Sequence, residues 1–359
     1  MGDPRVEDYA KLLVERCIDV QPGSQVLIRT TPIARPLLEE VVAVIARRGA
    51  YALVRLTFSA PLLDLAWAKE APDALLAELP EVDRYAIENA DAFVAIDAPE
   101  NTRDGSELSS ERYALFRKAL HPLLERTAKA EIPWVRCQFP CPALAQDAGM
   151  SMPEFEDFVY GACLLDWDAE AHKMSRIAER FERAREVRIV AEGTDLTLGI
   201  EGRECVVDAG YNNMPGGEVF SCPLEDAADG TITFGEFPAV HQGREVEGAR
   251  LVFRAGRVVE ASAKRGEDVL LGTLETDAGA RGIGELGIGC NPAIRRHMKN
   301  TLFDEKIYGT IHIAVGSGIP MAGGRNESAL HWDLVKDLRD GGRLLCDGEL
   351  VQEDGEWLF

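Results

Sequence analysis

The sequence lacks any apolar run of roughly 18 residues, which excludes a membrane-spanning helix. It has no CxxC pair: its cysteines stand at 17, 137, 141, 163, 205, 222, 290 and 346. Cys137 and Cys141, around Gln-Phe-Pro, are too loosely spaced to read as a metal pair. Reduced, buried thiols are therefore expected rather than a disulfide framework or a thiolate zinc site. Positive charge is scarce, with 39 Lys and Arg against 61 Asp and Glu and a net charge of −22. A nucleic-acid surface needs a basic field, so that class of partner is excluded. The opening MGDPRVEDYA has neither a basic segment nor an apolar one, so it does not read as a secretory signal, and a cytoplasmic protein is expected. Internal repeats and low-complexity stretches are absent.

The 359 residues, 46% hydrophobic, suffice for one large or two medium domains with sizeable cores. Residues 1–185 alternate between helix and strand patterns. Gln25–Arg29, Tyr51–Leu56, Ala92–Ile96 and Trp134–Cys137 read as strands. Tyr9–Ile18, Pro36–Arg48, Ser110–Ala130, Pro153–Leu165 and Asp168–Ala184 read as helical patterns. That alternation predicts an α/β domain with a mostly parallel sheet. No GxGxxG or Walker loop follows these strands, so no nucleotide site is expected despite the Rossmann-like layering. From Val187 short β-rich runs (VRIVA, TDLTLGI, TITF, ARLVF, RVVEAS) alternate with Gly and acidic turns. Residues 186–359 are therefore expected to form a second, β-rich α+β domain that carries the chemistry.

Four short signals in that half supply the chemistry. Glu218 follows Pro-Gly-Gly at the expected start of a strand, where glycine lets backbone approach a ligand. Glu285 lies inside Gly-Ile-Gly-Glu-Leu-Gly-Ile-Gly, where alternate glycines pack poorly in a strand and need a reason. His312 interrupts Ile311-His-Ile313-Ala-Val315 and faces away from the two isoleucines. His331 and Asp333, two apart, point the same way if the segment is extended. Each signal alone has an ordinary reading: an exposed turn glutamate, a hydrogen-bonded core histidine, a common His-x-Asp. Together, five carboxylate and imidazole donors exceed one structural zinc and suit two divalent metals sharing a bridging carboxylate. Mixed donors of this kind suit zinc, cobalt or manganese. The remaining histidines, 121, 172, 241 and 297, are expected at the surface.

In chain order, the words VDAGYNNMPGGEVF, TDAGARGIGELGIGCNP, LFDEKIYGTIHIAVG and NESALHWD resemble the thermophilic aminopeptidase T family of metallo-aminopeptidases. ALAQDAGMS agrees, and the resemblance spans nearly the whole chain. It implies that Glu218, Glu285, His312, His331 and Asp333 are metal ligands, with Glu218 and Glu285 also in the catalytic machinery. It further implies two divalent ions per chain, a peptide substrate cut after its N-terminal residue, and a homodimer. The bridging ligand would be Glu285 or Asp333. One departure stands out: family members often carry a tyrosine seven residues after the first ligand histidine, where this chain has Ile319. Tyr308, four residues before His312, is an alternative hydroxyl on the same face if the strand extends that far. Asp277 reads either as a turn aspartate or as a group supporting the site. Two other functions compete. His312, His331 and Asp333 alone would suit a mononuclear non-haem iron ring-opening dioxygenase, which has no use for the two glutamates. A metal- or ligand-binding scaffold that has lost catalysis would fit the missing tyrosine.

Overall fold

A computed structural model describes residues 3–58, 64–105, 108–129, 131–241 and 243–359. The chain forms two compact units, Met1–Leu165 with Gly210–Pro215, and Asp166–Ala209 with Gly216–Phe359. Between the helix Trp167–Glu182 and the strand Glu186–Ala191 the chain passes from helices to antiparallel strands.

The first unit is built on a parallel sheet. Its strands are β1 (Gln25–Thr30), β2 (Tyr51–Leu56), β3 (Ala92–Asp97) and β4 (Trp134–Gln138), in the order β2-β1-β3-β4, with Asn213–Met214 added beside β4. All four pairings are parallel. β3 is buried at every position and β1 at all but its first, which is why both read as near-continuous apolar runs. β2 is the edge strand and is largely exposed. The helical pattern over 110–130 is two helices, Ser110–Ala119 and His121–Ala128. Pro122 has no N–H and its ring would strike the carbonyl four residues back, so one continuous helix cannot form. Ala130 lies outside the described residues.

Among its described residues the second unit holds two main antiparallel sheets and a two-stranded ribbon of Ala239–His241 with Arg244–Val246. The larger runs Arg257–Ser262, Ala249–Arg254, Ala228–Phe234, Thr194–Gly199, Glu186–Ala191, Arg343–Cys346, Glu349–Glu353, Glu356–Trp357. The smaller consists of β5 (Val206–Asp208), β6 (Glu218–Ser221), β7 (Ile283–Gly289), β8 (Thr310–Gly316) and β9 (His331–Asp337). Its order is β9-β8-β7-β6-β5. Alternation divides this small sheet cleanly. Leu286, Ile288, Ile311, Ile313 and Leu334 join Ile189, Leu196, Leu198 and the helix residues Ile177 and Phe181 in one core. Burying each such side chain contributes about 1.5–3 kcal/mol, so the register of the sheet is strongly fixed. The opposite face then carries Glu218, Glu285, His312, His331 and Asp333. This is the expected fold class, an α/β unit with a parallel sheet and a β-rich unit. Among the described residues, no helix is long and apolar enough to cross a membrane. All eight cysteines are free thiols, seven of them buried and Cys205 partly so.

Candidate metal centre

Strand register assembles the site. Glu218 opens β6 opposite Gly289 of β7. Gly217, at φ +111, delivers it, and a Cβ there would fall 2.7 Å from Asn291 Cβ. On the other side of β7, His312 pairs with Gly287, and a Cβ at 287 would sit 2.0 Å from the imidazole. Likewise a Cβ at Gly289 would lie 2.0 Å from the Ile307 carbonyl oxygen. The alternating glycines after Glu285 are thus space reserved for the His312 ring and for the turn before β8. In the β8–β9 ladder, Ala314 and Gly316 pair with Asp333 and His331. Small residues there leave the face open for the last two donors.

The donors fall into two sets. Ligand atoms of Glu218, Glu285 and His312 lie within 4.8 Å of one another, and so do those of Glu285, His331 and Asp333. Glu285 belongs to both. Its Oε1 is 3.3 Å from His312 Nε2 and its Oε2 is 3.2 Å from His331 Nε2. Glu218 Oε2 is 3.6 Å from His312 Nε2, and Asp333 Oδ1 is 3.5 Å from His331 Nε2. The first set is sealed, with Glu218, Glu285 and His312 at 6%, 3% and 1% exposure. The second opens outward: the His331 side chain is 33% exposed.

Both imidazoles are oriented from behind. His312 Nδ1 lies 3.1 Å from the Glu305 carbonyl oxygen and His331 Nδ1 lies 2.8 Å from that of Ser317. A carbonyl only accepts, so in each neutral ring the proton sits on Nδ1 and the Nε2 lone pair faces the carboxylates. That tautomer is the one a metal requires. The electrostatics agree. Like charges about 4 Å apart repel by about 4 kcal/mol at an effective dielectric of 20, so three crowded carboxylates require cations among them. Asp333 Oδ1 is buried and has no hydrogen-bond partner. An N₂O₃ donor set with a shared carboxylate and no thiolate therefore fits two divalent ions.

Without metal, protons take the cations' place. Burial pushes the Glu218 carboxyl up to about 8, against the pull of Lys306. Burial alone would lower both histidines, but the carboxylates outweigh it. Glu285 and Glu218 lift His312 to about 10, and Asp333 and Glu285 lift His331 to about 12. Asp333 goes the other way, to about 2, because His331 beside it outweighs its burial.

Other expected positions resolve differently. Tyr308 does not reach the cluster: Gly309, at φ +80, breaks the strand alternation before Thr310. Its hydroxyl instead donates to Glu356 Oε2 at 3.1 Å under a cation–π contact from Arg295. Ile319 is held through its backbone, its N–H donating to Cys222 Sγ at 3.2 Å. Asp277 is a loop clamp. It accepts from Ala329 N–H at 2.7 Å, Ser328 Oγ at 2.8 Å and Gly279 N–H at 2.9 Å, which hold its carboxyl below the usual range. It thereby fixes the segment just before His331. His121 and His172 are exposed as expected, whereas His241 and His297 are half-buried. His297 stacks on Phe237 at 5.0 Å and lies 3.2 Å from Asp304 Oδ2, and burial lowers it to about 4. One charged neighbour of the donors escaped the sequence reading, the buried Lys306, 3.1 Å from Glu218 Oε1.

Known proteins resemble the chain along its whole length. Aminopeptidase AmpS of Bacillus subtilis (strain 168) is 27% identical over 412 aligned residues, covering 99% of this chain and 98% of the relative. Among solved structures, wild-type AmpT from Thermus thermophilus superposes with a TM-score of 0.83 at 23% identity, covering 99% of each chain. The 2,5-dihydroxypyridine dioxygenase of Pseudomonas putida KT2440 superposes at 0.64 with 14% identity, covering 100% of this chain and 98% of the other. At such identities the two structures show a shared fold, one that serves a peptidase name and an oxygenase name alike. The sequence model described as thermophilic metalloprotease (M29) matches residues 2–357, and the chain belongs to that family.

Proposed function

We propose that the chain is a dinuclear metallo-aminopeptidase, hydrolysing the N-terminal residue from peptides. The observation that carries this reading is the sharing of Glu285 between two donor sets. Glu218, Glu285 and His312 would hold an inner ion, and Glu285, His331 and Asp333 an outer one, with zinc, cobalt or manganese all suited to the donors. Glu285 rather than Asp333 would then be shared by the two ions, because only Glu285 directs one oxygen at each histidine. When bound, such ions supply Lewis acidity, polarising the scissile carbonyl and acidifying a water molecule.

The chain's own groups do the rest. The exposed edge of His331 makes the outer set the side a peptide meets. The clamp of Asp277 on Ser328 and Ala329 holds that rim in place. Glu218 is retained as a ligand because Lys306 and His312 engage its two oxygens. The name of the Bacillus relative supports exopeptidase rather than endopeptidase action. The fold alone permits an iron dioxygenase as well, but a single iron held by His312, His331 and Asp333 would leave Glu285, which directs one oxygen at each histidine, without a ligand role. The homodimer implied by the family resemblance belongs to the same proposal, and light scattering of the purified chain measures it.

The test is hydrolysis of leucine p-nitroanilide by chelator-treated and metal-restored protein. Activity lost on chelation and restored by zinc, cobalt or manganese is expected. No hydrolysis under any metal, with ring opening of a dihydroxypyridine under iron, would replace this reading with the oxygenase.

A further inference from the structure

Lys306 is wholly buried, at 0% exposure. An ammonium stripped of water persists only when paired. Its Nζ lies 3.1 Å from Glu218 Oε1 and 3.9 Å from Asp208 Oδ2, and it is ion-paired to Glu305 Oε1. The other oxygen of Glu218, Oε2, faces His312 Nε2 at 3.6 Å. The two oxygens of this carboxylate therefore have different neighbours: Oε1 meets a fixed cation, and Oε2 meets the donor cluster. The preceding residue acts on the same cluster, since the Glu305 carbonyl orients His312 through Nδ1. The dipeptide Glu305-Lys306 thus reaches both inner donors that the outer set does not share.

Its backbone is well fixed. Lys306 N–H donates to the Phe303 carbonyl at 3.0 Å, and the Lys306 carbonyl accepts from Asn291 N–H at 3.1 Å. Asp304 ties the turn down by accepting from Met298 and Asn300 N–H, each at 2.6 Å. The neighbouring Gly289 has no room for a Cβ against Ile307. A side chain anchored this firmly can set the direction of its partner.

We propose that Lys306 is a positioning residue for the inner metal. It occupies Glu218 Oε1, so that Glu218 offers the ion one oxygen, Oε2, beside His312 Nε2 and Glu285. This inference rests on the dinuclear reading. It also makes an uncommon prediction. A positive charge beside a cation site opposes binding by Coulomb's law, so on charge alone its removal tightens the site. Positioning predicts the reverse.

The experiment is calorimetric titration of zinc into chelator-stripped protein, for the wild type and for Lys306→Met combined with Glu305→Gln. The double variant removes one cation and one carboxylate, keeping the local net charge, and leaves the Glu305 carbonyl for His312. A His331→Ala protein, which keeps every inner donor and lacks one of the outer set, assigns the inner class. The wild type is expected to bind two ions. In the double variant the inner class should weaken by about 10–100-fold, as for loss of other groups that support metal ligands, while the outer class is little changed. Two wild-type ions with an unchanged or tightened inner class in the variant would overturn the role of Lys306 alone. One ion or none in the wild type would overturn the dinuclear reading and this inference together. A crystal structure of the zinc-loaded wild type tests the same point without a variant. Glu218 bound through Oε2 with Oε1 on Lys306 is expected, and both oxygens on the ion would refute the assignment.

Discussion

Two donor sets share one glutamate, yet their surroundings differ sharply. Glu218 and His312 lie beneath the sheet surface, braced by Lys306 and the Glu305 carbonyl. His331 and Asp333 lie on the edge strand β9, behind a loop pinned by Asp277, with His331 partly in water. Burial raises the cost of an uncompensated charge, so the inner set gains most from a tightly held cation. The outer set has the access that substrate and exchanging solvent need. On the dinuclear reading, one sheet would thereby provide a closed position and an open one about the shared Glu285.

Removing the bridge tests the comparison most severely. Glu285→Ala should release both ions and cut peptidase activity by more than about 100-fold, since losing a ligand exceeds losing a group that supports one. Metal analysis of the purified variant checks it. Removing one private ligand from each side should separate the two positions. Glu218→Ala should bind one ion in the open position, and His331→Ala one ion in the closed position. Equal loss from both variants would erase the distinction. Gly287→Ala acts on the closed side alone, because the new Cβ would lie 2.0 Å from the His312 ring. Overpacking of this kind costs about 1–3 kcal/mol, so a lower Tm is expected with inner-ion affinity reduced and outer-ion affinity kept.

Protons provide a milder perturbation. In the metal-free chain His312 at about 10 and His331 at about 12 are both imidazolium near neutrality. Their folded values lie above the ordinary value near 6.5, so their contribution to metal-free stability is complete below that pH. It declines as pH rises through about 10 and then about 12. Metal must displace both protons, so apparent affinity should rise with pH. Calorimetry in buffers of different ionisation enthalpy should find about two to three protons released per chain near pH 8, rising toward about three at lower pH as Glu218 becomes fully protonated. The smallest effect belongs to the loop. Asp277→Ala removes three hydrogen bonds from an exposed group, so stability should fall by only about 1 kcal/mol. KM should rise more than kcat falls if the loop serves substrate placement.

The central parallel strands β1 and β3 were legible because burial on both faces leaves a near-continuous apolar run, as in Ala92–Asp97. Two of the candidate donors stand out in sequence because they break their local pattern: His312 among isoleucines and Glu285 among glycines. Why glycine recurs at 287 and 289 was not legible, because the ring and the carbonyl that fill those spaces come from residues 312 and 307. Lys306 was hidden for a similar reason. Within Asp-Glu-Lys it reads as solvated charge, and only the close approach of β6 and the turn before β8 buries it. His297 is half-buried rather than exposed because it stacks on Phe237, a partner distant in sequence. Tyr308 lies outside the strand that would have aligned it with His312, because Gly309 turns the backbone left-handed just before Thr310.

The most direct measurement is anomalous diffraction from crystals soaked in zinc or manganese. Two peaks per chain are expected, one among Glu218, Glu285 and His312 and the other among Glu285, His331 and Asp333, with Glu285 touching both. A single peak held by His312, His331 and one carboxylate, with Glu218 uncoordinated, would contradict the two-position site.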